Sequence, residues 1–161
     1  SIHSAIHRNV PHGRVALHLH PPYATTLACL KDPTIKPLEQ VTARFFNRLA
    51  IDKSFGGIAT DAREGERIAA TIGNHNAVMM GNHGVTTLAP TIAEAFDLMY
   101  HLERASRTMV LAYSTGRPLN IMSDKLAEET ASEWQTYKQA EFSHFEEMKQ
   151  ILDKEDPSYR D

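Results

Sequence analysis

A short alternating segment near the start of the chain most strongly limits how the chain can fold. From Arg14 to His20 every second residue is Val or Leu, and the intervening positions include His18 and His20. A period of two is typical of a β-strand with one apolar face and one polar face. Pro21 and Pro22 end the segment because proline cannot donate a ladder hydrogen bond. The sequence therefore predicts a strand with two imidazoles on one face.

Most of the remaining chain has apolar residues at helical spacing. Helices are predicted over residues 2–8, 23–30, 38–49, 61–73, 91–113 and 123–152. Two of these begin with a capping residue followed three positions later by glutamate, namely Asp61 with Glu64 and Thr91 with Glu94. The apolar run Ala77–Met80 is typical of a buried strand.

These patterns predict a small α/β domain whose C-terminal third is helical, and they leave the strand order open. The acidic tail from Asp153 to Asp161 is expected to be loosely ordered. A length of 161 residues suits one domain with a substantial core.

Composition excludes several functional classes. No run of apolar residues reaches the roughly 18 that a membrane helix needs. A formal net charge of −3, with 17 Lys and Arg residues spread along the chain, provides no basic patch for nucleic acid. The single cysteine, Cys29, excludes an internal disulfide framework and a thiolate zinc knuckle, and it is compatible with a reducing cytoplasm. Because its neighbours are small and apolar, Cys29 is expected to be a buried structural thiol.

The chain begins at Ser1 without the basic, apolar and cleavage-site features of a targeting segment. We expect residues 1–161 to be a single domain whose N-terminal part lies outside this chain.

His18 and His20 are the first candidates for chemistry. Two histidines at positions i and i+2 of a strand place their ring nitrogens on the same side, where they can share a metal ion. An alternative is a half-exposed strand with ordinary polar residues on its outer face. Both interpretations remain open from this tripeptide alone.

His83 lies in Gly81–Gly84, which directly follows the predicted strand Ala77–Met80. Taken alone, this motif predicts a turn whose glycines permit a tight bend. Combined with His18 and His20, however, His83 completes a set of three ligands that leaves a coordination position open, as in catalytic zinc sites. The other histidines lack partners at ligand spacing and are expected to be surface or satisfied core residues; they are His3, His7, His12, His75, His101 and His144.

The motifs His-Leu-His-Pro-Pro-Tyr-Ala-Thr at 18–25 and Gly-Asn-His-Gly-Val at 81–85 resemble those of the class II aldolase/adducin family. The segments Leu102–Ala105 and Gly116–Leu119 agree with this resemblance, which extends over essentially the whole chain. The resemblance implies a three-layer α/β/α fold around a largely antiparallel sheet. It also implies a homotetramer with active sites at subunit interfaces.

The resemblance further implies that His18, His20 and His83 bind a divalent metal, with zinc expected and manganese possible. Such an ion stabilises the enediolate that forms when a bond next to a carbonyl is cleaved. Three neutral imidazoles leave the ion its full positive charge. The implied activity is that of a metal-dependent lyase in carbohydrate metabolism, acting on a small sugar-like or oxo-acid substrate.

Two further catalytic roles follow from the resemblance. Family aldolases use a carboxylate ahead of the His-x-His pair, which would fall before Ser1 here, together with loops that bind a substrate phosphate. They also use a tyrosine near the C-terminus of a neighbouring subunit as proton donor, and Tyr137 lies at a matching distance from His83. Alternatively, Trp134 and Tyr137 simply pack against the core. A second tyrosine of some aldolases has no counterpart between Pro33 and Phe46, which argues against sugar-phosphate aldolase specificity.

Three functions therefore remain open. The first is retro-aldol cleavage or the related epimerisation, and the second is decarboxylation or dehydration at the same metal site. The third is a non-catalytic interaction domain similar to the adducin head, which ranks last because all three histidines are present. The apolar helix predicted over 92–113 supports an oligomer, since one small domain does not fully cover it.

Overall fold

A computed structural model describes residues 2–57 and 62–161 of the chain. The helices are α1 (Ile2–Asn9), α2 (Pro22–Ala28), α3 (Gln40–Ala43), α4 (Ala62–Ile72), α5 (Ile92–Ser114), α6 (Asp124–Trp134) and α7 (Lys138–Glu155). The strands are β1 (Val15–Leu19), β2 (Ala50–Asp52), β3 (Ala77–Met80) and β4 (Gly84–Ala89). The predicted α/β class and the helical C-terminal third are confirmed. Among the described helices, none combines the length and apolar character that crossing a membrane requires.

The four strands form one sheet in the order β1-β4-β3-β2. β4 pairs antiparallel with both β1 and β3, and β2 pairs parallel with β3. The expected largely antiparallel sheet is therefore confirmed. Because β1 and β4 are neighbours, the end of β1 that carries His18 lies beside the start of β4, with His18 opposite Thr86.

Helices cover both faces of the sheet. Successive residues of β3 point to opposite faces, and all four are buried. Met79 packs in a core cluster with residues of α2 and α5, such as Leu27 and Leu102. Val78 packs in a second cluster with residues of α1 and α4, such as Ile6. The two clusters make the domain three layers deep, as the resemblance implied.

The predicted helix over 38–49 is wrong for most of its length. Only Gln40–Ala43 is α-helical, and it begins at Glu39, whose carboxylate accepts hydrogen bonds from Val41 and Thr42. Asn47 then adopts a left-handed backbone with φ of 53°, which an α-helix cannot contain. The apolar residues after Ala43, whose spacing in the sequence is helical, belong instead to a series of turns.

The predicted helix over 123–152 is two helices. After α6 the amide groups of Gln135, Thr136 and Tyr137 bond to carbonyls three residues earlier, and the chain changes direction before α7. The expectation of a loose tail is also wrong, because α7 continues to Glu155 and a 3₁₀ helix follows over Pro157–Arg160.

The remaining differences concern two strands, the cysteine and the helix caps. β2 and β4 were not recognised in the sequence, although β4 is the strand that joins the two histidine motifs. Cys29 is exposed, so the prediction of a buried thiol is wrong. The predicted capping partner Asp61 lies outside the described residues, whereas Thr91 caps α5 by accepting from the Glu94 amide, as predicted.

Candidate metal centre

The structure brings the imidazoles of His18, His20 and His83 together at one point. The ring centroids lie 4.9 Å apart for His18 and His20, 4.9 Å for His18 and His83, and 5.0 Å for His20 and His83. One ring nitrogen from each residue lies within 4.8 Å of the other two. The predicted convergence of residues that are 65 positions apart in sequence therefore occurs.

The orientation of His18 suits a metal ligand. Its Nδ1 atom lies 3.0 Å from the Val85 carbonyl oxygen and 3.1 Å from Thr86 Oγ1. Because a carbonyl can only accept, His18 donates its Nδ1 proton to Val85 and Nε2 carries the free lone pair. Outer hydrogen bonds of this kind set the tautomer and the ring direction of histidine ligands.

The loop that carries His83 is hydrogen-bonded to two other elements. Gly81 donates its amide to the Asp52 carbonyl at the end of β2, at 2.7 Å. Asn82 donates to the Ala28 carbonyl at the end of α2, at 3.1 Å. Asn82 also adopts a left-handed backbone with φ of 56°, a conformation that asparagine tolerates better than most residues. His83 is thereby held at the edge of the sheet.

Gly84 permits the close approach of the two motifs. A Cβ atom at this position would lie 2.5 Å from Cδ2 of His20 and 2.7 Å from the Leu19 carbonyl oxygen. Both separations are well below van der Waals contact. The absence of a side chain at Gly84 therefore makes room for the His20 ring.

The three imidazoles fit a tetrahedral divalent cation. Zinc–nitrogen bonds of about 2.0–2.1 Å place two ligand nitrogens about 3.3 Å apart and their ring centroids about 5 Å apart. The Nε2 atoms of His18 and His20 lie 3.1 Å apart, and the centroid distances above agree with this geometry. Because His20 is exposed, the open coordination side faces solvent.

The local electrostatics favour neutral imidazoles, the form that binds metals. Burial lowers the pKa of His18, with further lowering by His83 and His20 and an opposing effect of the Val85 hydrogen bond. Burial and the nearby His20 also lower the pKa of His83, against a weaker opposing effect of Glu64. Lone pairs on both rings are therefore available near neutral pH.

Tyr137 lies elsewhere in the same chain. It is the residue before α7, it is 64% exposed, and it lines a cleft of about 330 Å³ between α5, α6 and α7. None of the three clustered histidines lines this cleft. Trp134 lies in the same cleft and donates its indole N–H to the Gln40 carbonyl at 2.8 Å. Tyr137 is thus not packed in the core, and its catalytic role remains a prediction.

Sequence reasoning missed a second group in this cleft. His101 and His144, expected to lack partners at ligand spacing, both lie against Asp97. His144 Nδ1 lies 2.8 Å and His101 Nδ1 3.3 Å from Asp97 Oδ1, while Arg44 donates to Oδ2 at 2.7 Å. The spacing of Asp97 and His101, four apart on one helix, was the available signal. Because a guanidinium already neutralises the carboxylate, we interpret this group as a network that attaches α7 to α5.

The family assignment follows from comparison with known proteins. The sequence profile of the Class II Aldolase and Adducin N-terminal domain matches residues 1–110. The chain belongs to the class II aldolase and adducin family. All three clustered histidines lie in the matched part, so the family region contains the complete candidate metal centre.

Individual relatives differ in the chemistry that their names state. The chain is 28% identical to the decarboxylase NovR of Streptomyces niveus, over 77% of this chain and 46% of that protein. A solved aldolase II superfamily protein from Pseudomonas syringae superposes with a TM-score of 0.91 at 26% identity, over 99% of this chain and 64% of that one. L-fuculose 1-phosphate aldolase from Glaciozyma antarctica superposes with a TM-score of 0.69 at 26% identity, over 82% and 49% of the two chains. The chain spans about half the length of the curated relatives it matches.

Proposed function

We propose that this chain carries the active centre of a metal-dependent lyase, with His18, His20 and His83 as the ligands of a divalent cation. The observation that carries the proposal is the convergence of three imidazoles at tetrahedral spacing beside an open, solvent-facing side. When bound, the cation would supply Lewis-acid stabilisation of the negative charge that develops on substrate oxygens next to the cleaved bond.

The residues of the chain supply the arrangement that this chemistry needs. Val85 and Thr86 orient His18, while Asp52 and Ala28 fix the loop of His83. Because these contacts exist before a substrate arrives, the ligand set needs little rearrangement during the reaction. Neutral ligands also retain the full charge of the ion. Zinc is the proposed ion, because imidazole nitrogens suit zinc; manganese is the alternative, although it generally favours oxygen ligands.

We propose that Tyr137 acts as a proton donor in the centre of another copy of the chain. Its exposure and its position on a face separate from the histidines support a role between subunits of a homotetramer. Tyr137→Phe removes only the hydroxyl, so turnover should fall while metal content stays unchanged. Mixing Tyr137→Phe chains with His18→Ala chains should restore part of the activity, because some sites then contain both intact groups. No recovery on mixing would contradict a shared site.

Two reactions compete at the same centre. Retro-aldol cleavage of a sugar-like substrate is supported by the similarity to the fuculose-phosphate aldolase, and decarboxylation of an oxo acid by the similarity to the decarboxylase NovR. Incubation of the metal-loaded protein with L-fuculose 1-phosphate and with a 3-oxo acid distinguishes them by release of aldehyde or of carbon dioxide. A non-catalytic adducin-like role ranks below both, because the complete ligand set is retained. A cytoplasmic location and a place in carbohydrate metabolism complete the proposal.

Metal analysis of the purified chain tests the proposal directly. We expect about one zinc ion per chain, and none in the triple variant with His18, His20 and His83 replaced by alanine. The fold of that variant should persist because the site lies at the surface. The control is the His12→Ala variant, which removes a histidine whose Nε2 atom lies 2.9 Å from the His75 carbonyl oxygen and which is not part of the three-histidine group. Metal retained by the triple variant, or lost from the control, would refute the assignment.

A further inference from the structure

Helix α2 contacts both parts of the candidate metal centre. It begins at Pro22, two residues after His20, and ends at Ala28. The Ala28 carbonyl accepts the amide of Asn82, the residue before His83, at 3.1 Å. Any displacement of α2 therefore moves the chain beside two of the three histidines. What holds α2 in place consequently matters for the centre.

The start of α2 lacks the usual local partners. Pro21 and Pro22 have no amide proton, so the first backbone donors are Tyr23 and Ala24. The next amide, that of Thr25, already bonds to the Pro21 carbonyl at 2.9 Å. Pro21, at the capping position, has no side chain that can accept a hydrogen bond. Two donors therefore need an acceptor from elsewhere in the fold.

Glu103 of α5 supplies both acceptors. Its Oε1 atom accepts from the Tyr23 amide at 3.0 Å, and its Oε2 atom accepts from the Ala24 amide at 2.8 Å. A negative carboxylate at the N-terminus of a helix also interacts favourably with the helix dipole. Hydrogen bonds to an ionised group are among the stronger ones in proteins. Arg107, one turn further along α5, lies 5.6 Å from the centroid of the Tyr23 ring and adds a second contact between the helices.

We propose that Glu103 is a positioning residue for the metal centre, a role that rests on the metal binding proposed above. The carboxylate attaches the start of α2 to α5 and so fixes the short segment between β1 and α2 that contains His20. Through the bond from Asn82 to Ala28, the same attachment reaches the loop of His83. Glu103 contacts none of the three ligands itself, and it acts through the backbone that carries them.

Glu103→Gln tests this role with a minimal change of shape. An amide has one acceptor oxygen, and its NH₂ group would face a backbone N–H, so one of the two donors loses its partner. We expect Zn²⁺ affinity to fall about 10- to 100-fold, the usual effect of disturbing groups that orient metal ligands. The measurement is competition with a chromophoric chelator at fixed pH. The visible absorption bands of the Co²⁺-loaded protein should change as well, because they report ligand geometry.

Glu39→Gln is the matched control. The Glu39 carboxylate also accepts from two backbone amides at the start of a helix, Val41 at 2.8 Å and Thr42 at 2.9 Å. The helix that it caps, α3, carries none of the three histidines. Glu39→Gln should therefore cost similar stability and leave both the Zn²⁺ affinity and the Co²⁺ spectrum unchanged.

The outcomes separate the two proposals. A Glu103→Gln variant with wild-type Zn²⁺ affinity and Co²⁺ spectrum would overturn the role of Glu103, as would an equal loss of affinity in Glu39→Gln. Failure of the wild-type chain to bind Zn²⁺ at all would instead overturn the proposed function. In that case the imidazole NMR signals of the metal-free wild type are compared with those of metal-free Glu103→Gln. A change in these signals would show that Glu103 still positions the rings, and unchanged signals would overturn its role. If Glu103→Gln does not fold, Glu103→Asp replaces it in this test. Aspartate keeps both oxygens but is one methylene shorter, so the Zn²⁺ affinity should again fall relative to wild type.

Discussion

Gly84→Ala should weaken metal binding more than it weakens the fold. The added methyl carbon would lie 2.5 Å from His20 Cδ2, 3.3 Å from His20 Nε2 and 2.7 Å from the Leu19 carbonyl oxygen. The His20 ring is exposed and can rotate away, but only by leaving the point that it shares with His18 and His83. The Leu19 carbonyl belongs to the backbone of β1 and moves only if β1 separates slightly from β4.

The structure also suggests the size of this effect. Overpacking a tightly filled position costs about 1–3 kcal/mol. If the whole of this free-energy cost appears as displacement of the ligands, Zn²⁺ affinity falls about 5- to 140-fold, since about 1.4 kcal/mol corresponds to a factor of ten. Chelator competition measures the affinity, and urea unfolding of the metal-free protein measures the remaining stability change.

Gly13→Ala is the control for this prediction. Gly13 is also buried, but an added Cβ would meet its nearest neighbours, Leu88 Cδ2 and the Val10 carbonyl oxygen, at 3.4 Å. That distance is ordinary contact, and the atoms nearest to the added Cβ belong to none of the three histidines. We expect wild-type Zn²⁺ affinity in Gly13→Ala. Wild-type affinity in Gly84→Ala would refute the argument that the missing side chain makes room for His20.

Three further predictions concern the groups around the centre and the cleft. Thr86→Val removes one of the two acceptors of His18 Nδ1 but leaves the Val85 carbonyl, so chelator competition should show a loss of Zn²⁺ affinity of no more than about tenfold. Asp97→Asn leaves the buried Arg44 with Glu141 as its remaining charged partner and should lower the free energy of unfolding by about 1–3 kcal/mol in urea titrations, whereas Glu128→Gln, at a partly exposed pair, should cost much less. Burial would raise the pKa of Asp97, but hydrogen bonds from His101 and Arg44 outweigh burial and hold it well below its usual range. A carboxyl group with a depressed pKa stabilises the fold above its unfolded pKa, so the stability difference between wild type and Asp97→Asn should be constant down to about pH 5 and shrink below about pH 4. A difference that stayed constant to pH 2 would contradict this.

The sequence was most informative where one side chain type repeats with a fixed period. The alternation in Arg14–His20 predicted β1 and the common face of His18 and His20, and the apolar run Ala77–Met80 predicted β3. Both signals are local, because each depends only on which faces of a single strand are buried. The long helix α5 was predicted for the same reason, with Thr91 as its cap.

The features that the sequence did not predict depend on contacts between distant segments. β4 contains Thr86 and Thr87, which are fully buried, so its sequence shows no apolar alternation. Their hydroxyl groups are satisfied by His18 Nδ1 and by the Ala95 carbonyl, partners that only the folded chain reveals. The cluster of Asp97, His101 and His144 likewise requires α7 to pack on α5. Apart from the spacing of Asp97 and His101 on one helix, local pattern does not report such pairings, because the partners lie on segments that are distant in sequence.

The candidate centre depends on the register between β1 and β4. In the observed pairing His18 lies opposite Thr86 and Leu19 opposite Val85, so the next residue, His20, faces Gly84 and the ring of His83. A slip of one residue would turn His18 and His20 to the other face of the sheet and bring the side chain of Val85 to the position of Gly84. The same register buries Thr86 and aligns it with His18 Nδ1. The interactions that fix the strand pairing thus also orient His18 and His20 towards the loop of His83, which explains how ligands so distant in sequence meet.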